Sequence, residues 1–286
     1  MTDRRFIAAC VQLRSGREVA SNVSDASNLI REAHRRGAHY VQTPEMTALM
    51  ERGRSRLIPK LHVEQSDLAL QAFRALAVEL GIWLHIGSLA IRVGPEQAAN
   101  RAFLIAPDGV IAARYDKIHM FDVDLPGGES YRESAIYKPG DKAVSVDVPW
   151  TRLGLSICYD IRFPHLYRTL AEAGAEILAI PAAFTRQTGE AHWHVLQRAR
   201  AIETGCFVIS AAQGGKHEDG RETYGHSLIL DPWGRVLAEA GTEPGVITAE
   251  IDLDLIAKVR GQVPSLANSR HFDPPVVAQS EERAAS

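Results

Sequence analysis

Residues 35–45 read RRGAHYVQTPE, and residues 172–182 read EAGAEILAIPA. Each begins where a glycine, Gly37 or Gly174, stops a helical pattern. Each then runs through a short apolar strand into a proline, Pro44 or Pro181. A second pair matches further along, FLIAPDGVIAA at 103–113 and SLILDPWGRVLAE at 227–239. Two such matches in the same order predict an internal repeat. With only two copies of a long period, the repeat means pseudo-twofold symmetry rather than a solenoid.

Working outward, both halves read strand–helix–strand–helix–strand–hairpin. In the first, strands are expected at Phe6–Leu13, Ala38–Thr43 and Ile82–Leu89. Helices are expected at Ser24–Arg36, with Ala26, Leu29, Ile30 and Ala33 on one face, and at Asp67–Leu80. A hairpin follows, Ala102–Ala106 with Val110–Tyr115, turning on Pro107-Asp108-Gly109. In the second half, strands are expected at Leu153–Ile157, Glu176–Ile180 and Cys206–Ala212. Its helices run from Pro164 to Gly174 and over Ala191–Glu203, and its hairpin turns at Asp231–Gly234. Mixed βαβ units and hairpins imply an α/β fold of two sheets with helices outside, a four-layer α-β-β-α sandwich with pseudo-twofold halves. Residues 1–273 read as a single domain, and residues 274–286 as an aperiodic tail.

The 286 residues are 45% hydrophobic and 23% charged, an ordinary globular balance that needs neither disulfide nor metal as a staple. The net charge is −3, with no basic block to suggest nucleic acid. No apolar run is long enough for a membrane span, and MTDRRFIAACVQL lacks the apolar core of a signal peptide. The three cysteines, Cys10, Cys158 and Cys206, contain no CxxC pair. A reducing cytoplasm is the expected location.

Parallel strands bring their carboxyl ends to one sheet edge, where open α/β sheets bind ligands. Pro44-Glu45, Lys117 and Cys158 all fall at such ends. Residues 117–140 form a long Gly/Pro-rich loop of the kind that usually carries function. Cys158 sits between a buried strand and the turn CYDIRFP, which opens a helix. That turn exposes a side chain at the sheet edge, and a helix N-terminus there is expected to lower the thiol pKa. Cys10 and Cys206 lie in strands and read as small buried hydrophobes. A thiol nucleophile needs a base within hydrogen-bond reach. His119, His165, His192, His194 and His226 all lie near loops or helix starts, and spacing does not choose between one of them and a carboxylate. His192 and His194 have no third ligand nearby in sequence, so no metal site is expected.

Three segments, TPEMT (43–47), YDKIHMFD (115–122) and LSICYDIRFP (155–164), resemble the signature regions of the nitrilase superfamily of carbon–nitrogen hydrolases. The stretches 188–213 (TGEAHWHVLQRARAIETGCFVISAAQ) and 224–241 (YGHSLILDPWGRVLAEAG) are also similar to that superfamily. The resemblance runs from about Phe6 to Leu255. It implies a catalytic Glu–Lys–Cys triad of Glu45, Lys117 and Cys158, supported by Glu133, which matches the family position better than Glu129. Glu45 would be the base, and Lys117 with the Tyr159 backbone N–H would hold the oxyanion. Burial of Glu45 is expected to raise its pKa, with Lys117 opposing. Arg162 would bind a substrate carboxylate or else pair with Asp160 or Glu172. The sequence departs from many relatives at TPEMT and at Glu190, neither of which belongs to the triad.

The resemblance further implies hydrolysis of a small linear amide through a thioester, with no metal or organic cofactor. It is nearest to the amidase branch acting on deaminated glutathione. Omega-amidases and N-carbamoyl amidohydrolases are the alternatives, and a pseudoenzyme scaffold is the non-enzymatic one. A homodimer or higher homo-oligomer is implied, with no nucleic-acid or membrane partner.

Overall fold

The computed structural model describes residues 4–126 and 128–275, so most of the expected tail lies outside the described residues. The first half contains β1 (Arg5–Gln12), α1 (Val19–Arg35), β2 (Tyr40–Gln42), α2 (Leu68–Leu80), β3 (Trp83–Gly94), β4 (Gln97–Ile105) and β5 (Ile111–Asp116). The second contains β6 (Val144–Asp147), β7 (Arg152–Leu155), α3 (Pro164–Glu172), β8 (Ile177–Ala179), α4 (Arg186–Thr204), β9 (Phe207–Ser210), β10 (Leu228–Leu230), β11 (Val236–Glu239), β12 (Gly245–Asp252) and α5 (Asp254–Gln262).

Two six-stranded sheets result, in the orders β12-β1-β2-β3-β4-β5 and β6-β7-β8-β9-β10-β11. In each, three neighbouring strands are parallel, two antiparallel strands follow, and another antiparallel strand closes the opposite edge. The pseudo-twofold plan is therefore a property of the strand order.

Period-2 alternation sorts the side chains into layers. On β1, Phe6, Ala8 and Cys10 join the core shared with the second sheet. Ala9 and Val11 instead meet Ile30 of α1 and Phe73 of α2 in a separate outer core. The second sheet is backed by α3 and α4 through Leu166, Leu170, Trp193 and Ala201. The four layers are thus α1/α2, sheet, sheet, α3/α4. Two buried glutamines tie sheet to sheet. Gln42 Oε1 accepts from Ala211 N at 2.8 Å, and Gln12 Oε1 accepts from Ser227 N at 2.9 Å.

The sheet edge that carries Glu45 is crowded. β3 shifts register between Ile86 and Leu89, and Gly87 lies in this irregularity. A Cβ on Gly87 would sit 2.2 Å from Thr43 O, 2.5 Å from Pro181 Cβ and 2.6 Å from Pro44 C. Only glycine lets the two matched prolines of the repeat approach here. Gly87→Ala is therefore expected to destabilise the fold by about 2 kcal/mol or more, because overpacking typically costs about 1–3 kcal/mol. Urea unfolding checks this, and an unchanged midpoint would contradict it.

Candidate active site

Thr43-Pro44-Glu45 continues β2 past the sheet edge. Met46 then adopts a left-handed conformation, φ 55°, and its N–H donates to Ser88 Oγ at 2.9 Å. Thr47 Oγ1 donates to Pro44 O at 2.7 Å, closing the turn. The Glu45 side chain is buried. Its Oε1 accepts from Asn100 Nδ2 at 2.8 Å and from Lys117 Nζ at 3.0 Å, and its Oε2 accepts from Ala183 N at 2.9 Å.

Lys117 follows β5, and its N–H donates to Asn100 O at 3.0 Å. Its Nζ also donates to Glu133 Oε1 at 3.0 Å and Oε2 at 2.8 Å. Glu133 opens a short 3-10 turn, Glu133–Ala135, and its Oε2 accepts from Phe121 N at 2.7 Å. Glu129 instead lies 3.9 Å from Arg52.

Cys158 also has a left-handed backbone, φ 48°, and its N–H donates to Pro181 O at 2.9 Å. It begins a 3-10 turn, Cys158–Arg162, braced by the fully buried Asp160. Asp160 accepts from Ile157 N at 2.8 Å and from Tyr115 OH at 2.7 Å, and lies 2.7 Å from His119 Nδ1. The strained backbone at Cys158 is thus held from both sides.

The electrostatics corrects two expectations. Burial, and then the adjacent Glu45 charge, push the Cys158 thiol well up, with Lys117 only partly opposing. The helix that was expected to lower it begins only at Pro164, beyond the reach of a helix terminus. Glu45 moves the other way. Burial raises it, but the Lys117 charge and hydrogen bonds from Cys158, Lys117 and Asn100 hold the carboxyl below its ordinary range. Lys117 itself is penalised by burial, yet Glu133 and Glu45 raise it well above a free lysine. The resting set is therefore a neutral thiol, a carboxylate and an ammonium. A carboxylate hydrogen-bonded to a thiol can take its proton, and a buried ammonium can hold a developing oxyanion.

Of the other expected residues, Tyr159 packs its ring edge-on against Phe121 and Phe163. The Arg162 guanidinium lies 5.4 Å over Phe184 and 5.9 Å over Tyr159, with Nη2 3.2 Å from His192 Nδ1. It pairs with neither Asp160, which is otherwise engaged, nor Glu172, which accepts from Arg168 at 2.9 Å. His194 does meet acidic and imidazole partners, but they come from elsewhere in the chain. Glu239 Oε1 lies 2.8 Å from His194 Nε2 and 2.8 Å from His226 Nδ1. Sequence reasoning missed Asn100 and the Ala183 N–H, and named Asp160 only as a partner for Arg162 rather than as the brace of the Cys158 turn. The one available signal was Asn100 itself, which with Arg101 interrupts the otherwise apolar stretch AANRAFLI.

Beside Glu45, Lys117 and Glu133 opens a cavity of about 320 Å³, walled by Phe121, Tyr131 and Tyr137.

Residues 7–261 match the family model for carbon–nitrogen hydrolases. The chain is 43% identical over 269 residues to a deaminated glutathione amidase of Synechocystis sp., covering 91% of this chain and 97% of the relative. It is 36% identical over 269 residues to a human omega-amidase, covering 93% and 95%. Among solved structures it resembles a mutant amidase of Nesterenkonia sp. AN1 whose active-site cysteine carries the acetamide moiety of fluoroacetamide. That likeness has TM-score 0.79 at 26% identity, over 93% of this chain and 94% of that one. The chain belongs to the carbon–nitrogen hydrolase family, and it is a hydrolase of carbon–nitrogen bonds other than peptide bonds.

The pKa directions predict the pH profile. A lowered Glu45 keeps its charge at neutral pH and loses it only as pH falls through its folded value. The acid limb of kcat/KM is therefore expected below the ordinary glutamate value of about 4.3. The raised thiol and lysine place the alkaline limb above about 8.5. A limb near pH 6–7 in initial-rate measurements would point to an imidazole base and contradict this assignment.

Proposed function

We propose that the chain hydrolyses a small linear amide of the deaminated-glutathione type, through a thioester on Cys158. Glu45 takes the Sγ proton as Sγ attacks the carbonyl carbon. Lys117 Nζ and the Tyr159 backbone N–H hold the oxyanion. As the intermediate collapses, Glu45 delivers its proton to the leaving nitrogen, and ammonia or an amine departs. Water then gives a proton to Glu45 and its oxygen attacks the thioester. The acid is released, and Sγ recovers its proton. Glu133 orients Lys117 throughout. The observation that supports this reading best is the Glu45 carboxylate, fixed by Asn100, Lys117 and Ala183 N. The name of the Synechocystis relative supports the acyl class.

Arg162 is proposed to bind a carboxylate on the acyl side, since no carboxylate of the described residues pairs with it. The omega-amidase reading shares this feature and differs in the amide accepted. An ammonia- and amine-release screen over keto-acid amides, neutral amides and carbamoyl amino acids separates the readings, carbon dioxide release marking the last. Cys158→Ala is expected to abolish turnover, and a near-normal rate would sink the mechanism. Arg162→Ala is expected to weaken acidic substrates by about tenfold or more relative to neutral ones.

A reducing, cytoplasmic setting fits three cysteines that are all free thiols. No helix of the described residues is long and apolar enough to cross a membrane. We also propose a homodimer through α4. Its Val195 and Ile202 are 69% and 51% exposed, and Trp233 and Leu237 are also exposed on the hairpin whose Gly234 O accepts from Arg198 Nε of α4 at 2.9 Å. Sedimentation of the Val195→Glu, Ile202→Glu double variant should show monomer where the parent shows dimer. An unchanged mass would place any interface elsewhere.

A further inference from the structure

We propose that the cavity beside Glu45 binds the leaving amine, and that Arg52 and Arg221 hold a carboxylate carried by that amine. This rests on the amidase reading above and sharpens its substrate class. The side is set by chemistry. Glu45 must return a proton to the leaving nitrogen, so the amine departs into the space that Glu45 lines. Cys158 and Arg162 do not line that cavity, which leaves the acyl group to their side. Size argues the same way. A volume of about 320 Å³ is some ten times what a water-sized ammonia fills, about 30 Å³.

The charges lining the cavity select the amine. Lys117 is committed to Glu45 and Glu133, and Arg132 is committed to Asp124 through two bonds of 2.8 and 2.9 Å. Glu51, also in the lining, is answered by Arg17, Arg56 and Lys60 at 3.5, 3.1 and 3.3 Å. Arg52 and Arg221 remain. Arg52 Nη2 donates to Tyr131 OH at 2.9 Å, and its nearest carboxylate is the half-exposed Glu129 at 3.9 Å. Arg221 Nε donates to Asp219 Oδ2 at 2.6 Å, and the Asp219 side chain is fully buried. Among the described residues, the two Nη atoms of Arg221 donate no hydrogen bond. Asp219 thus aims the guanidinium and leaves one edge of its fork free, the geometry suited to a carboxylate. Both arginines act on the Tyr131 hydroxyl, opposing the rise that burial imposes on it. Arg221 likewise acts on Tyr137, which also feels Glu133, Glu45 and Lys117, so the guanidinium and the reacting groups share one cavity.

The test keeps one acyl group, that of the best ammonia-releasing amide, and varies the leaving amine between glycine and the neutral glycinamide. The parent enzyme is expected to favour glycine in kcat/KM by about tenfold or more, the worth of a charged hydrogen-bonded contact. In Arg52→Gln and in Arg221→Gln the glycine-to-glycinamide ratio should fall to about threefold or less. Arg52→Gln leaves Asp219 paired, so it reads the site even where Arg221→Gln folds poorly. A parent ratio near one, or a ratio that survives Arg52→Gln, overturns the inference. If ammonia is released while the ratio is near one, the amidase reading stands and only the anion site falls. If no amide is cleaved, both fall.

Discussion

Everything at the site depends on where the Glu45 carboxylate is held. Besides Cys158, its three donors come from three separate stretches of chain. Asn100 comes from β4, Lys117 from the end of β5, and the Ala183 N–H from beyond β8 in the other sheet. A buried carboxylate without such partners would take up a proton and lose its use as a base. The Ala183 contact also means that the two sheets must close before Glu45 is fully satisfied. Catalytic order and the packing of the two halves are thus linked through one side chain.

The twofold plan explains why those stretches meet. The matched prolines, Pro44 and Pro181, face each other across Gly87. Pro181 O then accepts from Cys158 N, two residues before Ala183 N reaches Glu45. One crossover point of the sandwich therefore fixes both side chains proposed to react. Symmetry supplies the meeting point, but the chemistry is asymmetric. The repeat aligns Glu45 with Ala182, and only the second half carries the proposed nucleophile, Cys158.

The parts of the fold carried by short-range signals were legible. The strand ending at Pro44, the glycine stops and the Pro107-Asp108-Gly109 hairpin needed only local chemistry. The starts of α2 and α3, at Asp67 and Pro164, were legible too, but those of α1 and α4 were not. α4 begins at Arg186 rather than Ala191, because Thr185 caps it by accepting from Thr188 N. Gly189 lies inside this helix, where a Cβ would be 2.3 Å from Tyr224 Cβ, so the glycine answers packing. β3 and β4 run on to a turn at residues 95–96, beyond the strands the apolar pattern suggested. That missed extension contains Asn100, which is why a supporting residue of the site was missed with it. Edge strands β6 and β12 escaped for a similar reason, since their identity lies in what they pair with. The base for Cys158 was beyond spacing altogether. Five histidines were equally placed in sequence; the family resemblance pointed to Glu45 instead, and the contacts of Glu45 with Lys117, Asn100 and Ala183 N are tertiary.

The charge pattern also accounts for a buried cysteine that rests as a thiol. In the proposed mechanism, proton transfer from Cys158 to Glu45 moves a negative charge from one neighbour of Lys117 to another. The total charge of the buried group does not change, so no ion has to be brought in from water at the moment of reaction. Lys117 is raised by both Glu133 and Glu45, and it stays cationic through the exchange. Glu133 is the part that makes this possible. Without it, Glu45 would be the one carboxylate beside the ammonium, and that carboxylate is neutralised in the proposed step where the oxyanion forms. A second carboxylate fixed by Phe121 N keeps the cation charged and in place while the first one trades its proton.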